Sequence, residues 1–286
     1  MKLLQYISIV FVLGFIQLNA QTLRIEANEL LANPNGYKVI DARQKREYVI
    51  EHIENALNFP ADLTYENKKT NGEIVQSDKM QKIVRELGLS LDDNIIIYDE
   101  GAFFNAARLF WTFEVYGFKN VKLLNSGIKQ WKENGFLTTK NIPKVKKSKY
   151  IVSVNNNRIA TKFTTQIATK NPNQVILDAR DIKAYNGKVS MSKRFGHIPT
   201  AIHFSATKNI DYTKGVVKLQ SKNNLKKLYL NIDKKSKVIV YCALGKIASL
   251  NYFALRELGF NVANYDASWK EWGNDFNLPI VNPSKM

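Results

Sequence analysis

Cys242 is the only cysteine in 286 residues. It stands where Val238-Ile239-Val240-Tyr241 gives way to Ala243-Leu244-Gly245-Lys246-Ile247 and then to an amphipathic stretch. A thiol at a strand end, just ahead of a helix, lies where free backbone N–H groups and the positive end of a helix dipole meet, and that setting favours thiolate. Gly245 allows a positive φ in the connecting loop, and Lys246 adds a cation beside it. An arbitrary single cysteine is most often a small core residue. The strand-end position argues instead for a reactive group, because α/β proteins keep their sites at the carboxyl edge of a parallel sheet. This reading requires the sulfur to be exposed at the mouth of its domain, with the neighbouring amides turned toward it.

Other chemistries find less support. His52, His197 and His203 are the three histidines, and with one cysteine and no C-x-x-C or H-x-x-x-H spacing no metal site or cofactor is expected. His52 and His197 occupy matching contexts, which points to a shared structural bond. A phosphate-binding P-loop around Gly245-Lys246 would need glycine at Val240 and Ser or Thr at Ile247. A cysteine phosphatase would need an arginine six residues after the cysteine, where Ala248 stands. Trp131 and Trp272 read as core or interdomain packing.

The elements that must position Cys242 come in two copies. Val39-Ile40-Asp41-Ala42-Arg43 recurs as Ile176-Leu177-Asp178-Ala179-Arg180, and His52-Ile53 recurs as His197-Ile198. Ile95-Ile96-Ile97-Tyr98-Asp99 answers Val238-Ile239-Val240-Tyr241-Cys242, and Gly117-Phe118 answers Gly259-Phe260. Trp131 and Trp272 close the copies. Landmarks in one order at a domain-sized offset make a duplication. Within the second copy, strands near 175–177 and 238–241 alternate with helices near 225–230 and 248–258, so each copy is expected to be α/β, a parallel sheet flanked by helices on both faces. The expected division is a signal peptide at 1–20, an N-terminal domain at 21–138, a basic linker at 139–153 and a C-terminal domain at 154–286.

A hydrophobic content of 45% with 11% aromatic residues describes a packed globular chain. The formal charge of +17 could draw nucleic acid, anionic lipid or small anions. The densest lysines, Lys140, Lys144, Lys146, Lys147 and Lys149, fall in the linker and read as a solvated segment, so small anions and not nucleic acid are the expected partners. Residues 1–20 show an early lysine, an apolar middle and a small residue at Ala20, the pattern of a cleaved signal peptide. The protein is therefore expected to be exported, periplasmic or secreted, with no lasting membrane insertion after cleavage. With one cysteine it can form no intramolecular disulfide.

The ordered combination of both Asp-Ala-Arg strand ends, Gly196-His197-Ile198-Pro199, Tyr98-Asp99-Glu100-Gly101 followed by Arg108 and Trp111, and Tyr265-Asp266-Ala267-Ser268-Trp269-Lys270-Glu271-Trp272-Gly273 resembles the tandem rhodanese-type sulfurtransferases. These include thiosulfate and 3-mercaptopyruvate sulfurtransferases. The resemblance implies two rhodanese-like domains, the first catalytically silent with Asp99 in the nucleophile's place and the second catalytic through Cys242. It implies a loop from Cys242 through Ala243, Leu244, Gly245, Lys246 and Ile247 whose amides face the sulfur, and Arg180 binding the donor's negative end by a two-pronged grip. It implies a small anionic sulfur donor, a Cys242 persulfide and a thiol or cyanide acceptor, with ping-pong kinetics on a monomer. Ala243 and Leu244 match neither the basic pair of vertebrate-type thiosulfate enzymes nor the Gly and Ser of well-known mercaptopyruvate enzymes, and directly after Tyr185 Asn186-Gly187-Lys188 stands in place of the family's second clamping arginine. Lys246 tilts the choice to thiosulfate. The alternatives are 3-mercaptopyruvate as donor, a persulfide carrier or sensor with little turnover of small donors, and a non-catalytic interaction module.

Overall fold

Runs of β-branched residues followed by amphipathic segments fold here as two successive α/β units. The computed structural model describes residues 22–67 and 72–285, so the signal segment at 1–20 lies outside the described residues. In the first unit the strands are β1 (Arg24–Ile25), β2 (Lys38–Asp41), β3 (Leu57–Asn58), β4 (Ile95–Tyr98) and β5 (Val121–Leu124). They form a sheet in the order β1-β5-β4-β2-β3, every pair parallel. Its helices are α1 (Ala27–Ala32), α2 (Lys45–Tyr48), α3 (Ser77–Glu86), α4 (Phe104–Val115) and α5 (Ile128–Glu133).

The second unit repeats the plan with β6 (Ile159–Ala160), β7 (Gln174–Asp178), β8 (Ile202–His203), β11 (Lys237–Tyr241) and β12 (Asn261–Tyr265) in the order β6-β12-β11-β7-β8, again parallel. A small antiparallel pair, β9 (Ile210–Asp211) and β10 (Lys218–Leu219), is inserted before the cysteine strand. The helices are α6 (Lys162–Ala168), α7 (Ile182–Tyr185), α8 (Lys222–Leu228), α9 (Ala248–Glu257) and α10 (Ser268–Trp272). Among the described residues no helix is long and apolar enough to cross a membrane.

Strand alternation puts helices on both faces of each sheet. In β4, Ile95 and Ile97 pack with α3 and α4, while Ile96 and Tyr98 face Leu30 of α1, Tyr48 of α2 and Trp131 of α5. In the second sheet Val238 and Val240 join α8 and α9, while Ile239 and Tyr241 meet Trp269 and Trp272 of α10. The inner layers of the two units merge into one apolar core because α4 lies against α9, with Phe110 edge-on to Phe253 at 5.0 Å between ring centroids. The helix that follows Cys242 thus packs on its counterpart in the first copy, and the loops preceding both helices lie near the seam.

The segment 139–153 carries no regular element, and its five lysines are exposed. It is nonetheless strapped to the first unit: Tyr150 is buried, stacks on Phe118 at 5.4 Å and donates its hydroxyl to the Tyr116 carbonyl at 2.7 Å.

Candidate functional site

Cys242 follows the last residue of β11, and its carbonyl accepts the Trp269 amide at the start of α10 (3.0 Å). The first unit makes the same bond, from the Ile128 amide to the Asp99 carbonyl (3.0 Å). Gly245 has φ +68°, as the loop demands. The expectation of an exposed sulfur is corrected: Cys242 is 1% exposed and lies in the seam between the units, with Tyr65 and Arg108 of the first unit within its electrostatic reach. The reason is packing across the seam. Gly72 of the first unit sits against Leu244 so closely that a Cβ there would lie 3.1 Å from Leu244 Cδ2.

The amides around the sulfur divide into two sets. Those of Cys242 and Gly245 are taken by one hydroxyl, Ser268 Oγ, at 3.1 and 3.0 Å. Those of Ala243, Leu244, Lys246, Ile247 and Ala248 donate to no acceptor among the described residues. Successive backbone amides left without a protein acceptor ahead of a helix form a concavity suited to an anion. The first unit shows where such an anion would sit. There Asp99 turns its own carboxylate into the loop and accepts the amides of Gly101 (2.8 Å), Phe103 (3.1 Å), Asn105 (3.1 Å) and Ala106 (3.2 Å). The first unit's loop is filled by an internal carboxyl group; the cysteine loop has no such group. Burial, then the nearby Glu100 carboxylate, pushes the Asp99 carboxyl up to about 7 against the pull of these amides.

The other side of the cysteine loop is anchored through the Gly245 carbonyl. It accepts from Ser249 Oγ (2.8 Å), Asn264 Nδ2 (2.9 Å) and Arg108 Nη1 (3.4 Å). Arg108 belongs to α4 of the first unit, is fully buried, pairs with Asp266 and donates from Nε to Thr64 Oγ1 (3.0 Å). Its guanidinium also lies 4.2 Å from the Tyr65 ring centroid and 4.5 Å from that of Trp111. Burial raises the Asp266 carboxyl to about 6, with the Arg108 charge and hydrogen bond opposing.

Arg180 is placed differently from the role expected of it. Its Nε lies 2.9 and 3.1 Å from the two Asp178 oxygens, and Nη2 donates to Asp178 (2.6 Å) and to the Gly196 carbonyl (2.7 Å). The two-pronged grip on a donor is therefore corrected: the fork is already closed on Asp178, and Nη1 is the nitrogen left without a described acceptor. Arg43 makes the same set of bonds to Asp41 and the Glu51 carbonyl in the unit that lacks a thiol. What both copies share is structural, and here it pins the end of the strand beside the site, with Tyr241 donating to Asp178 and Tyr98 to Asp41, each at 2.6 Å.

Ala243, Leu244, Lys246 and Ile247 are partly exposed, and the Lys246 ammonium makes no ion pair or hydrogen bond among the described residues. His52 and His197 make one bond in common, Nδ1 to a carbonyl at 2.8 Å, each stacked on the tyrosine that supplies it, Tyr48 or Tyr185. Among the described residues no group of His, Cys, Asp or Glu could hold a metal. Arg108, Asp266 and Ser268 stand in the sequence only as marks of a family, with no work assigned to them, and Asn264 carries no signal at all.

Comparison with known proteins bears on this geometry. The model of the Rhodanese-like domain matches residues 26–134 and again 160–275. A thiosulfate sulfurtransferase of Corynebacterium glutamicum is 27% identical over 264 residues, covering 86% of this chain and 85% of that one. Among solved structures, the rhodanese-fold 3-mercaptopyruvate sulfotransferase SseA of Escherichia coli superposes with a TM-score of 0.78 at 24% identity, covering 87% of this chain and 99% of its own. The 3-mercaptopyruvate sulfurtransferase of Leishmania major gives 0.75 at 18% identity, covering 91% and 76%. At these identities the two structures speak for the fold alone.

Proposed function

The chain belongs to the rhodanese-like family, with the domain present twice, and is a sulfurtransferase; from that premise we propose that it moves the outer sulfur of thiosulfate to cyanide or a thiol through Cys242. The observation that carries this reading is the pairing of a single strand-end thiol with a run of unspent amides, in the loop whose silent counterpart is filled by a carboxylate. Thiolate Cys242 attacks the sulfane sulfur. The sulfur–sulfur bond of the donor breaks, its electron pair leaves with sulfite, and Cys242 holds a persulfide. A nucleophilic acceptor then attacks the terminal sulfur and returns the thiolate. The free amides stabilise the negative charge of the persulfide as the Asp99 carboxylate is stabilised in the first unit. Lys246, with no protein partner among the described residues, favours a dianionic donor. Arg180 contributes through Nη1 only.

Both units that border the loop come from one chain, which supports action as a monomer. Export rests on residues 1–20 alone: the purified mature protein should begin at Gln21 and fractionate outside the cytoplasm. Turnover of thiosulfate with cyanide, followed as thiocyanate, tests the reading. Wild type should show ping-pong kinetics and Cys242→Ser none. Preferred turnover of 3-mercaptopyruvate would replace the donor while keeping the nucleophile.

A further inference from the structure

Ser268 is completely buried and is one of four non-glycine residues with positive φ among those described, at +55°. L-residues other than Asn and Asp seldom adopt that region, and they persist there where the surroundings hold them for a purpose. Its hydroxyl is saturated. It donates to the Tyr265 carbonyl at 2.7 Å and accepts the Cys242 and Gly245 amides, which uses its one proton and both lone pairs. The position in the first unit that matches Ser268 is Gly127, since each directly precedes the residue whose amide bonds the strand-end carbonyl, Trp269 to Cys242 and Ile128 to Asp99. There the loop collapses onto the backbone: a Cβ on Gly127 would lie 2.2 Å from Gly101 Cα and 2.2 Å from its nitrogen. A side chain at this position thus exists only where a sulfur must be carried.

We propose that Ser268 is a positioning residue for sulfur transfer: by binding the Cys242 and Gly245 amides it fixes the curvature of the loop and leaves the remaining amides free for the sulfur anion. With no proton to spare for the sulfur, it acts through the loop and is not itself catalytic. The inference rests on Cys242 being the nucleophile. Without the hydroxyl, two further amides are released beneath the loop and the peptide units can turn, as they have around Asp99. The strain at φ +55° persists in an alanine and is relieved in a glycine.

Ser268→Gly and Ser268→Ala in the full-length protein separate positioning from mere stability. Ser268→Gly should melt at or above the temperature of Ser268→Ala, yet both should lose thiosulfate turnover to a similar degree, about tenfold or more, measured well below either melting temperature. A second readout is independent of the donor. The rate of Cys242 alkylation by iodoacetate relative to iodoacetamide, set against the same ratio for free cysteine, should be high in wild type and fall several-fold in both variants. Activity that follows stability, with Ser268→Gly restored to wild type, overturns the proposal, as does an unchanged alkylation ratio. A wild type that prefers the anionic reagent but ignores thiosulfate would refute the donor and leave Ser268 in its role; a wild type with no anionic preference would remove the cradle and the proposal with it.

Discussion

Lys246 carries the one positive side chain within the cysteine loop, and its charge is neither paired nor fully exposed. Replacing it with alanine should raise KM for thiosulfate more than for 3-mercaptopyruvate, because a dianion gains more from the extra charge. At a partly exposed site the loss is on the order of 1 kcal/mol. Equal shifts for the two donors would show that the ammonium serves only solvation. Asp266 offers a second test. Its folded carboxyl titrates near 6, above its ordinary value of 3.8, so the folded protein binds a proton that the unfolded chain has released between those values. Its contribution to stability is therefore present below pH 4 and lost as pH rises through about 6. The melting temperature of Asp266→Asn, relative to wild type, should accordingly improve as pH is raised from 4 to 7; a pH-independent difference would contradict the assignment.

At the scale of elements, the loop between β11 and α9 depends on its glycine. A Cβ on Gly245 would lie 2.6 Å from the Asp266 carbonyl and 2.7 Å from Asp266 Oδ1, at a φ of +68° that only glycine takes without strain. Gly245→Ala should cost about 1–3 kcal/mol in denaturant unfolding and reduce turnover at least tenfold. Retained activity would mean the loop is not held as described. Much of this element was legible beforehand. β-branched runs announced β7 and β11, Gly259 announced the end of α9 with φ +81°, and the strand-to-loop switch singled out Cys242. The groups that hold the loop were not legible as such, because Ser268, Asn264 and Arg108 approach from distant parts of the chain, and their types have no periodicity to betray them. Arg180 misled for a related reason. An Asp-Ala-Arg triplet cannot disclose that its arginine folds back on its own aspartate, a contact of two residues' separation repeated faithfully in the copy with no cysteine.

On the scale of the whole molecule, duplication makes one unit the support of the other. Arg108 reaches from the first unit to Asp266 and the Gly245 carbonyl; Glu114 of the same helix receives Arg256 at 2.8 Å, and Arg24 meets Glu257 through Nε at 2.7 Å. These ties, with the continuous apolar core between α4 and α9, make the seam part of the site. They also account for the burial of a thiol that sequence alone placed at an open mouth, since nothing within the second copy foretells what the first lays against it. Arg108→Leu strands a buried carboxylate and should destabilise by about 3–5 kcal/mol in denaturant unfolding, with Asp266→Asn in the same chain recovering a large part. Additive losses would deny the coupling. The most direct test of the central claim is the intact mass of the protein after exposure to thiosulfate, with the modified peptide then mapped. The account predicts a gain of one sulfur atom on the peptide containing Cys242, removed by cyanide. Sulfur gained elsewhere, or full turnover without any gain at Cys242, would contradict it.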